Sequence, residues 1–374
     1  MENVLDKPIS FLLFVVIGLL LRKKISAGDE TNGLKSLILS IVLPATIFIA
    51  LLKIKIDSNL ILFPALALGL NLLLLAISPL LLLIIGIDEN SPSGRSAKLL
   101  IPSLAPGLSC FPFILEFLGD GALANAAMAD LGNKFFVLFL LYLLAVKWHY
   151  KKADTQKTPL KSRLKSLLLT LLYEPVNLFI FAALILVSFN ISLDSLPNFF
   201  GITLSRLSAI MTPLVLIFIG LAVKLKKKQF FEIFSLLILR SAFTLLLISV
   251  VVYTFNLVVK NDILVMISFS LSACSFWPYA HISGIGFKEK NRADQDKTFN
   301  ANFAISILAL SLPISVLLIL GILTVNTVFV SASNLLMLSL VLFFMGIIYP
   351  VILKVRKSSF VLDKEQVLEQ NVNQ

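Results

Sequence analysis

The sequence has little charge for its length. Of 374 residues, 14% are charged and 58% are hydrophobic, and the mean hydropathy is +0.97. An ordinary globular domain carries about 25% charged residues. A soluble molecule of this size cannot bury so much apolar surface, which excludes a soluble enzyme, a disordered protein and a nucleic-acid-binding protein. The apolar runs do not alternate with period two, which excludes an outer-membrane barrel.

Residues and motifs typical of catalytic and metal sites are also scarce. The two cysteines, Cys110 and Cys274, both lie in apolar segments, so neither a disulfide framework nor a metal cluster is predicted. Phosphate-binding Gly-Lys-Ser/Thr loops, His-Glu-x-x-His, Gly-x-Ser-x-Gly and Cys-x-x-Cys motifs are absent from the sequence. We therefore expect no cofactor, no metal site, no direct use of ATP and no enzyme activity.

Charged residues divide the apolar sequence into eleven candidate membrane spans. The stretch from Thr298 to Leu353 has no charge, and as one helix it would be about 84 Å long, too long for a bilayer core of about 30 Å. It is therefore divided at the polar residues 324–334. The predicted spans are 9–21, 36–52, 60–87, 99–118, 123–146, 167–193, 206–223, 233–259, 263–287 and two within 298–353. An all-α polytopic membrane protein is predicted.

The basic residues predict the orientation of these spans. With the N-terminus outside, 25 of the 32 lysines and arginines fall in segments that would be cytoplasmic, including the segment from Arg22 to Lys35, and four fall outside. Cytoplasmic loops of membrane proteins are enriched in these residues. We therefore expect a multi-pass protein of the plasma (inner) membrane with its N-terminus outside and its C-terminus cytoplasmic. The net charge of +11 then reflects topology and requires no nucleic-acid partner.

Prolines indicate an internal repeat. Pro44 in the second span and Pro213 in the seventh are 169 residues apart, and spans four and nine are both interrupted by proline. Because five spans reverse direction when copied, this spacing predicts two inverted five-helix repeats, a common plan of secondary transporters. The predicted units are 1–147, a basic cytoplasmic loop at 148–165, 166–325, and an additional C-terminal helix with a short tail at 326–374.

The interruptions in spans four and nine are the predicted substrate site. Each proline lacks an N–H group and disrupts the preceding helical turn, and freed backbone at membrane depth must line a cavity. An ordinary proline kink is the alternative. The predicted helix-break residues are Pro106, Gly107, Pro112 and Pro278, and the predicted substrate-binding residues are Ser109, Cys110, Asn133, Lys134, Ser275 and Tyr279.

Ionisable residues inside spans are costly and therefore candidates for function. Asp130 and Lys134 lie four residues apart on one helix face, where they can form a neutralised ion pair. The functional alternatives are that Asp130 carries a proton or that Lys134 binds an anion. Asp130 and His281 are the candidates for proton or ion coupling, with a packed histidine as the alternative for His281. Arg206 and Arg240 lie near span ends, and we expect both side chains to reach the interface.

Several segments resemble the auxin efflux carrier family of permeases over residues 9–325. The most specific is Gly107 to Lys134, with Phe117 to Leu123 and the Gly132-Asn133-Lys134 triplet. Others are Gly18 to Lys24, Val42 to Ala45, Pro278 to Ala280 and Ser311 to Pro313. Two departures are Ala105, where many members have asparagine, and the eleventh span. The resemblance implies two inverted five-span repeats, crossing of spans four and nine at their breaks, and transport of small organic anions such as carboxylates or auxin-like metabolites.

Together these features favour a secondary active permease for a small organic anion, working by alternating access at the crossing of helices four and nine. A sodium- or proton-coupled symporter or antiporter of the same fold is the first alternative. A membrane enzyme or sensor is less favoured, because the spans contain a single histidine and only a short tail follows Lys354. The expected partners are the substrate, a coupling proton or sodium ion and the lipid bilayer; a homodimer is left open.

Overall fold

The computed structural model describes residues 6–22, 24, 29–53, 59–153, 165, 168–169, 172–222, 229–293 and 296–372. Within these residues the regular structure is helical and contains no strand. In chain order the helices are α1 (Asp6–Leu21), α2 (Asp29–Leu37), α3 (Leu43–Leu52), α4 (Asn59–Ile85), α5 (Pro92–Leu100), α6 (Pro106–Ser109), α7 (Phe111–Leu118), α8 (Asp120–Phe135), α9 (Leu141–Ala153), α10 (Pro175–Ser188), α11 (Asn198–Ala209), α12 (Met211–Ala222), α13 (Phe230–Thr254), α14 (Lys260–Ser270), α15 (Phe276–Lys288), α16 (Ala301–Thr324) and α17 (Ala332–Val372). Single π-helical turns, Ile38–Val42 and Phe136–Leu140, join α2 to α3 and α8 to α9.

The helices overlap the predicted spans, although some bounds differ, as at Asn198–Leu221 against the predicted 206–223. Seven helices of the described residues are long and apolar enough to cross a membrane, and two shorter apolar helices span Ile9–Leu21 and Pro175–Ser188. The fourth and ninth spans are each broken into pieces, α5 to α7 and α14 with α15. Large apolar side chains such as Leu83 and Phe344 are 72% and 67% exposed, as lipid-facing residues are. The prediction of an all-α multi-pass membrane protein is therefore confirmed.

Small residues allow some helices to approach closely. A Cβ atom at Gly18 of α1 would collide with the backbone of α12 at Ile217, and one at Gly220 with α1 at Val15. On α8, a Cβ atom at Gly132 would collide with the Pro64 carbonyl of α4. Because lipid gives no hydrophobic drive for helix association, such close van der Waals contact is a main source of it.

The additional eleventh span is an integral part of the bundle. Helix α17 packs along α13, and three serine side chains form hydrogen bonds between the two helices. Ser249 Oγ donates to the Ala332 carbonyl at 2.7 Å, Ser339 Oγ donates to the Ala242 carbonyl at 2.8 Å, and Ser235 Oγ donates to the Gly346 carbonyl.

A polar cluster away from the predicted site joins α5, α9 and α15 to the segment that precedes α16. The buried Glu289 carboxylate, just after α15, contacts His149 Nδ1 of α9 at 2.9 Å and accepts from Thr298 Oγ1 at 2.6 Å and Thr298 N at 2.8 Å. Arg95 Nε of α5 donates to the Thr298 carbonyl at 2.7 Å. Burial acts to raise the pKa of Glu289, but the hydrogen bonds from Thr298 and His149 outweigh it, so its pKa lies below the ordinary value.

Some predictions concern residues outside the described part of the chain. Helix α9 continues through Ala153, inside the predicted cytoplasmic loop 148–165. Residues 154–164 of this loop and Lys224 to Lys228 lie outside the described residues. The orientation of the termini, the inverted relation between the two units and the division into 1–147, 148–165, 166–325 and 326–374 stay predictions.

Candidate functional site

The two broken spans meet at their unwound segments. Residues 101–105 connect α5 to α6 and residues 271–275 connect α14 to α15, both without helical structure. Ala105 N donates to the Ala273 carbonyl at 2.8 Å, and Ala273 N donates to Ser109 Oγ at 2.9 Å. Ser275 N donates to Ser103 Oγ at 3.0 Å. Each segment thus satisfies the backbone groups that the other has lost from its helix.

Prolines set where the helices restart. Pro106 opens α6, and Pro112 lies in the first turn of α7, where the missing N–H is no loss. Pro278 lies in the first turn of α15, so the unwound segment ends before Pro278. Ser275 caps α15 by accepting a hydrogen bond from Trp277 N at 3.4 Å.

Arg240 of α13 holds the two segments together, and the expectation that its side chain reaches the interface is wrong. The residue is 2% exposed. Its Nε donates to the Ile101 carbonyl at 2.8 Å, Nη1 to the Ser272 carbonyl at 3.0 Å and Nη2 to the Ser103 carbonyl at 3.3 Å. These carbonyls lie just after the C-terminal ends of α5 and α14, where a cation is favoured. Arg206, by contrast, is exposed on α11.

Asn133 of α8 also binds the first unwound segment. Its Nδ2 donates to the Leu104 carbonyl at 2.9 Å, and its Oδ1 accepts from Leu104 N at 3.2 Å. Nδ2 also donates to Asp130 Oδ1 at 2.8 Å, and Oδ1 accepts from Asn71 Nδ2 of α4 at 3.1 Å. Asn133 therefore links the unwound backbone to the buried carboxylate of Asp130.

Lys134 lies between two carboxylates. Its Nζ is 3.4 Å from Asp130 Oδ2 and 3.1 Å from Glu174 Oε1, and it donates to Asn177 Oδ1 at 3.0 Å. The Asp130 and Lys134 side chains are 7% and 9% exposed, and that of Glu174 is 23% exposed. The predicted pair thus has a third member that the sequence analysis missed. Glu174 is the one acidic residue of the predicted span 167–193 and directly precedes Pro175, so the cost of charge in a span could have identified it.

A cavity of about 320 Å³ lies against the crossing. Its charged lining residues are Lys35, Asp130, Lys134 and Glu174. The other lining residues are Leu39, Leu43, Leu104, Ala105, Pro106, Gly107, Leu108, Asn133, Val137, Val176, Phe218, Ala273, Cys274, Ser275, Phe276, Trp277, Leu308, Ser311 and Leu312.

Six of the predicted site residues line this cavity and six do not. Those that line it are Pro106, Gly107, Asp130, Asn133, Lys134 and Ser275; Ser109, Cys110, Pro112, Pro278, Tyr279 and His281 do not. Ser109 is buried in the crossing itself, where its Oγ also donates to the Ala105 carbonyl at 2.8 Å. Cys110 and Pro112 are buried in the bundle, and Pro278 is buried in α15.

Of the two aromatic candidates, Tyr279 contacts a residue of its own helix and His281 contacts the segment after α8 and α9. Tyr279 packs beside Phe276 with ring centroids 5.6 Å apart. His281 Nε2 lies 3.0 Å from the Val137 carbonyl, and its ring is 5.3 Å from that of Tyr142. The Val137 carbonyl belongs to the π-helical turn after α8, so His281 satisfies an irregular part of the helix, which fits the packed-histidine alternative.

Comparisons with known proteins gave two similarities. No protein-family model matches the chain. A curated relative, "Uncharacterized transporter MJ1031" of Methanocaldococcus jannaschii, is 24% identical over 204 residues, which are 54% of this chain and 63% of the length of the relative. A solved structure of the sodium proton antiporter MjNhaP1 from the same organism is similar with a TM-score of 0.43 and 13% identity, covering 89% of this chain and 92% of that one. That degree of structural similarity does not establish a common fold.

Proposed function

We propose that the chain is a secondary active transporter that carries a small organic anion through the cavity at the crossing. The observation that carries this proposal is the cavity itself, bordered by two unwound backbone segments and by four ionisable side chains. Irregular backbone at membrane depth occurs where it lines a cavity, and broken helices facing each other are typical of transporter binding sites. The relative described as a transporter and the motifs that resemble the auxin efflux carrier family support the same function.

The cavity offers suitable contacts for a carboxylate. Helix α15 begins at its wall, where Cys274 to Trp277 line it, so the positive end of the helix dipole faces the cavity. The side chain of Ser275 caps this helix, and the aliphatic residues Leu39, Leu43 and Leu312 line the cavity elsewhere. A polar end that fixes orientation and an apolar body that accepts a small hydrocarbon group are the usual features of such sites.

With the orientation that the basic residues predict, the cavity lies on the cytoplasmic side of the crossing. Helix α2 starts in a predicted cytoplasmic segment and carries Lys35, and Glu174 precedes α10 on the same side. The structure would then represent an inward-facing state. Alternating access would move the paired unwound segments, with Arg240 bound to both, relative to the other helices.

Coupling to a proton or a sodium ion is the second candidate, and the arrangement of Asp130, Lys134 and Glu174 favours it. Two carboxylates surround one ammonium group, so the cluster holds one negative charge more than its lysine neutralises. A proton or a cation that binds there balances this charge, and its release on the other side would drive transport.

Ligand binding to the full-length protein tests the proposed function. In detergent, melting temperatures are measured with a panel of organic acids, each paired with its neutral amide. A ligand at one hundred times its Kd adds about 2.7 kcal/mol to stability, so a transported acid should raise the melting temperature while its amide should not. Compounds that bind are then tested for uptake into proteoliposomes.

A binding-site variant and imposed ion gradients separate the two candidates. Ser275→Ala should weaken binding more than it lowers the melting temperature, because the neighbouring backbone remains in place. If no acid binds or is taken up, and an imposed sodium or proton gradient alone drives flux of the opposite ion, the protein exchanges cations and the anion proposal is wrong.

A further inference from the structure

The four charged residues of the cavity are not equivalent. Lys134 lies within ion-pair distance of both Asp130 and Glu174. For Lys35, the described part of the chain places no carboxylate within 4 Å. In their ordinary charged forms, the three clustered groups sum to one negative charge, and Lys35 supplies the positive charge that brings the cavity to neutrality.

Lys35 is positioned by its helix to face the cavity. Lys35, Leu39 and Leu43 follow one another at intervals of four residues and line one wall together. The half-buried Lys35 side chain ends with its Nζ 4.8 Å from the centroid of the Phe276 ring, at the start of α15. This distance is typical of a cation–π interaction. Such an interaction holds an ammonium group less strongly than a charge-assisted hydrogen bond to a carboxylate does.

We propose that Lys35 recognises the negative group of the transported anion, and that Lys134 does not. The ammonium group of Lys35 leaves the Phe276 ring and binds the anionic group of a small carboxylate or sulfonate in the cavity. Lys134 stays with Asp130 and Glu174, because an anion competing for it would add to two negative charges already there. The inference rests on the proposed function, since it names the residue that selects the charge of the substrate.

The native Cys274 provides a test that does not require the substrate. Cys274 lines the same cavity, and replacing Cys110 with alanine leaves it as the one remaining thiol. Two methanethiosulfonate reagents of similar size serve as probes, one with a sulfonate and one with a trimethylammonium group. In both, the thiolate attacks the sulfenyl sulfur to form a mixed disulfide, and methanesulfinate leaves. The measured quantity is the ratio of the anionic to the cationic labelling rate, followed by intact-protein mass spectrometry.

Removing the charge of Lys35 should lower this ratio. One unit charge within a partly hydrated cavity changes the relative access of oppositely charged reagents by about threefold or more. Lys35→Gln should therefore lower the ratio by at least that factor, and Lys35→Arg should preserve it. Lys53→Gln is the matched control, because Lys53 is exposed, pairs with Asp120 and does not line the cavity.

The outcomes separate this inference from the proposed function. An unchanged ratio in folded Lys35→Gln protein overturns the role of Lys35, even if an organic acid is found to be transported. Failure of the wild type to bind any acid refutes the proposed function, whereas a ratio that depends on Lys35 still supports charge selection by this residue. If the glutamine variant does not fold, Lys35→Met gives the same comparison. The engineered thiol Leu39→Cys, on the same wall, repeats the measurement if Cys274 does not react.

Discussion

Replacing Arg240 with methionine should destabilise the protein more than any other single change at the crossing. The guanidinium group donates to the carbonyls of Ile101, Ser103 and Ser272 from a position that is almost completely buried. Methionine approximates the length of the side chain but donates no hydrogen bond. The three carbonyls then lose this partner in the buried interior of the bundle.

The size of the effect follows from the hydrogen bonds. Leaving a buried acceptor unsatisfied costs about 1–3 kcal/mol, so three carbonyls give a range of about 3–9 kcal/mol. Methionine also removes the cost of burying a charged group, which places the expected loss near the lower end, at about 3–5 kcal/mol. Stabilities of native proteins are about 5–15 kcal/mol, so much of the folded population would be lost. Arg240→Lys keeps the charge but not the fork of donors, and we expect a loss of about 1–3 kcal/mol.

Folded yield by size-exclusion chromatography and melting temperature in detergent measure these changes. The expected order of stability is wild type, then Arg240→Lys, then Arg240→Met. Arg206→Met is the control, because Arg206 is exposed on α11 and its replacement should leave both quantities nearly unchanged. If Arg240→Met protein has the yield and melting temperature of the wild type, the three hydrogen bonds do not hold the crossing together.

Three further changes test other parts of the structure. Lys134→Met should lower the melting temperature more than Asp130→Asn does. The methionine variant leaves two carboxylates without a cation, whereas the asparagine variant keeps the ion pair between Lys134 and Glu174. Equal losses would contradict the conclusion that Lys134 pairs with both carboxylates. Glu289 has a folded pKa below the ordinary 4.5, so the stability that it contributes is present above that pH and is lost as the pH falls through the folded pKa. Acid should therefore lower the melting temperature of the wild type more than that of Glu289→Gln. Parallel curves of melting temperature against pH for the two proteins would refute this. Gly132→Ala should cost about 1–3 kcal/mol because its Cβ meets the backbone of α4, whereas Gly69→Ala, with open space around it, is the control; equal melting temperatures would mean that the helices separate at no cost.

The arrangement of helices could be predicted because its signals are local. A span is identified by the apolar residues within it and by the charges at its ends, and all eleven predicted segments correspond to helical segments. The break in span four was equally accessible, since Pro102, Pro106 and Pro112 cannot continue one helix. In span nine the unwound residues 271–275 precede Pro278, so the proline indicated the break but not its position.

The role of Arg240 could not be predicted, because its partners are carbonyl groups. Every residue has a carbonyl group, so no pattern of side chains distinguishes the three that accept from Arg240. Two of them, at Ile101 and Ser103, are more than 130 residues away in the sequence. An arginine within an apolar span therefore looks the same whether it reaches the interface or binds unwound backbone, and only the packing of α13 against both segments separates the two cases.

The assignment of the cavity lysines depends on the same difference between local and distant partners. Asp130 and Lys134 share a helix, so their pairing could be predicted from their spacing, and a neutral pair leaves Lys134 available as an anion ligand. Glu174 lies directly before α10, far from Asp130 and Lys134 in the sequence, and changes the sign of the cluster from neutral to negative. A negative cluster disfavours an anion at Lys134 and favours a proton or a metal cation there. In the proposed function, anion recognition then falls to Lys35, which the sequence indicated only as a cytoplasmic charge but which lines the cavity beside Phe276. One acidic residue at the start of α10 thus reverses which lysine is suited to the proposed anion.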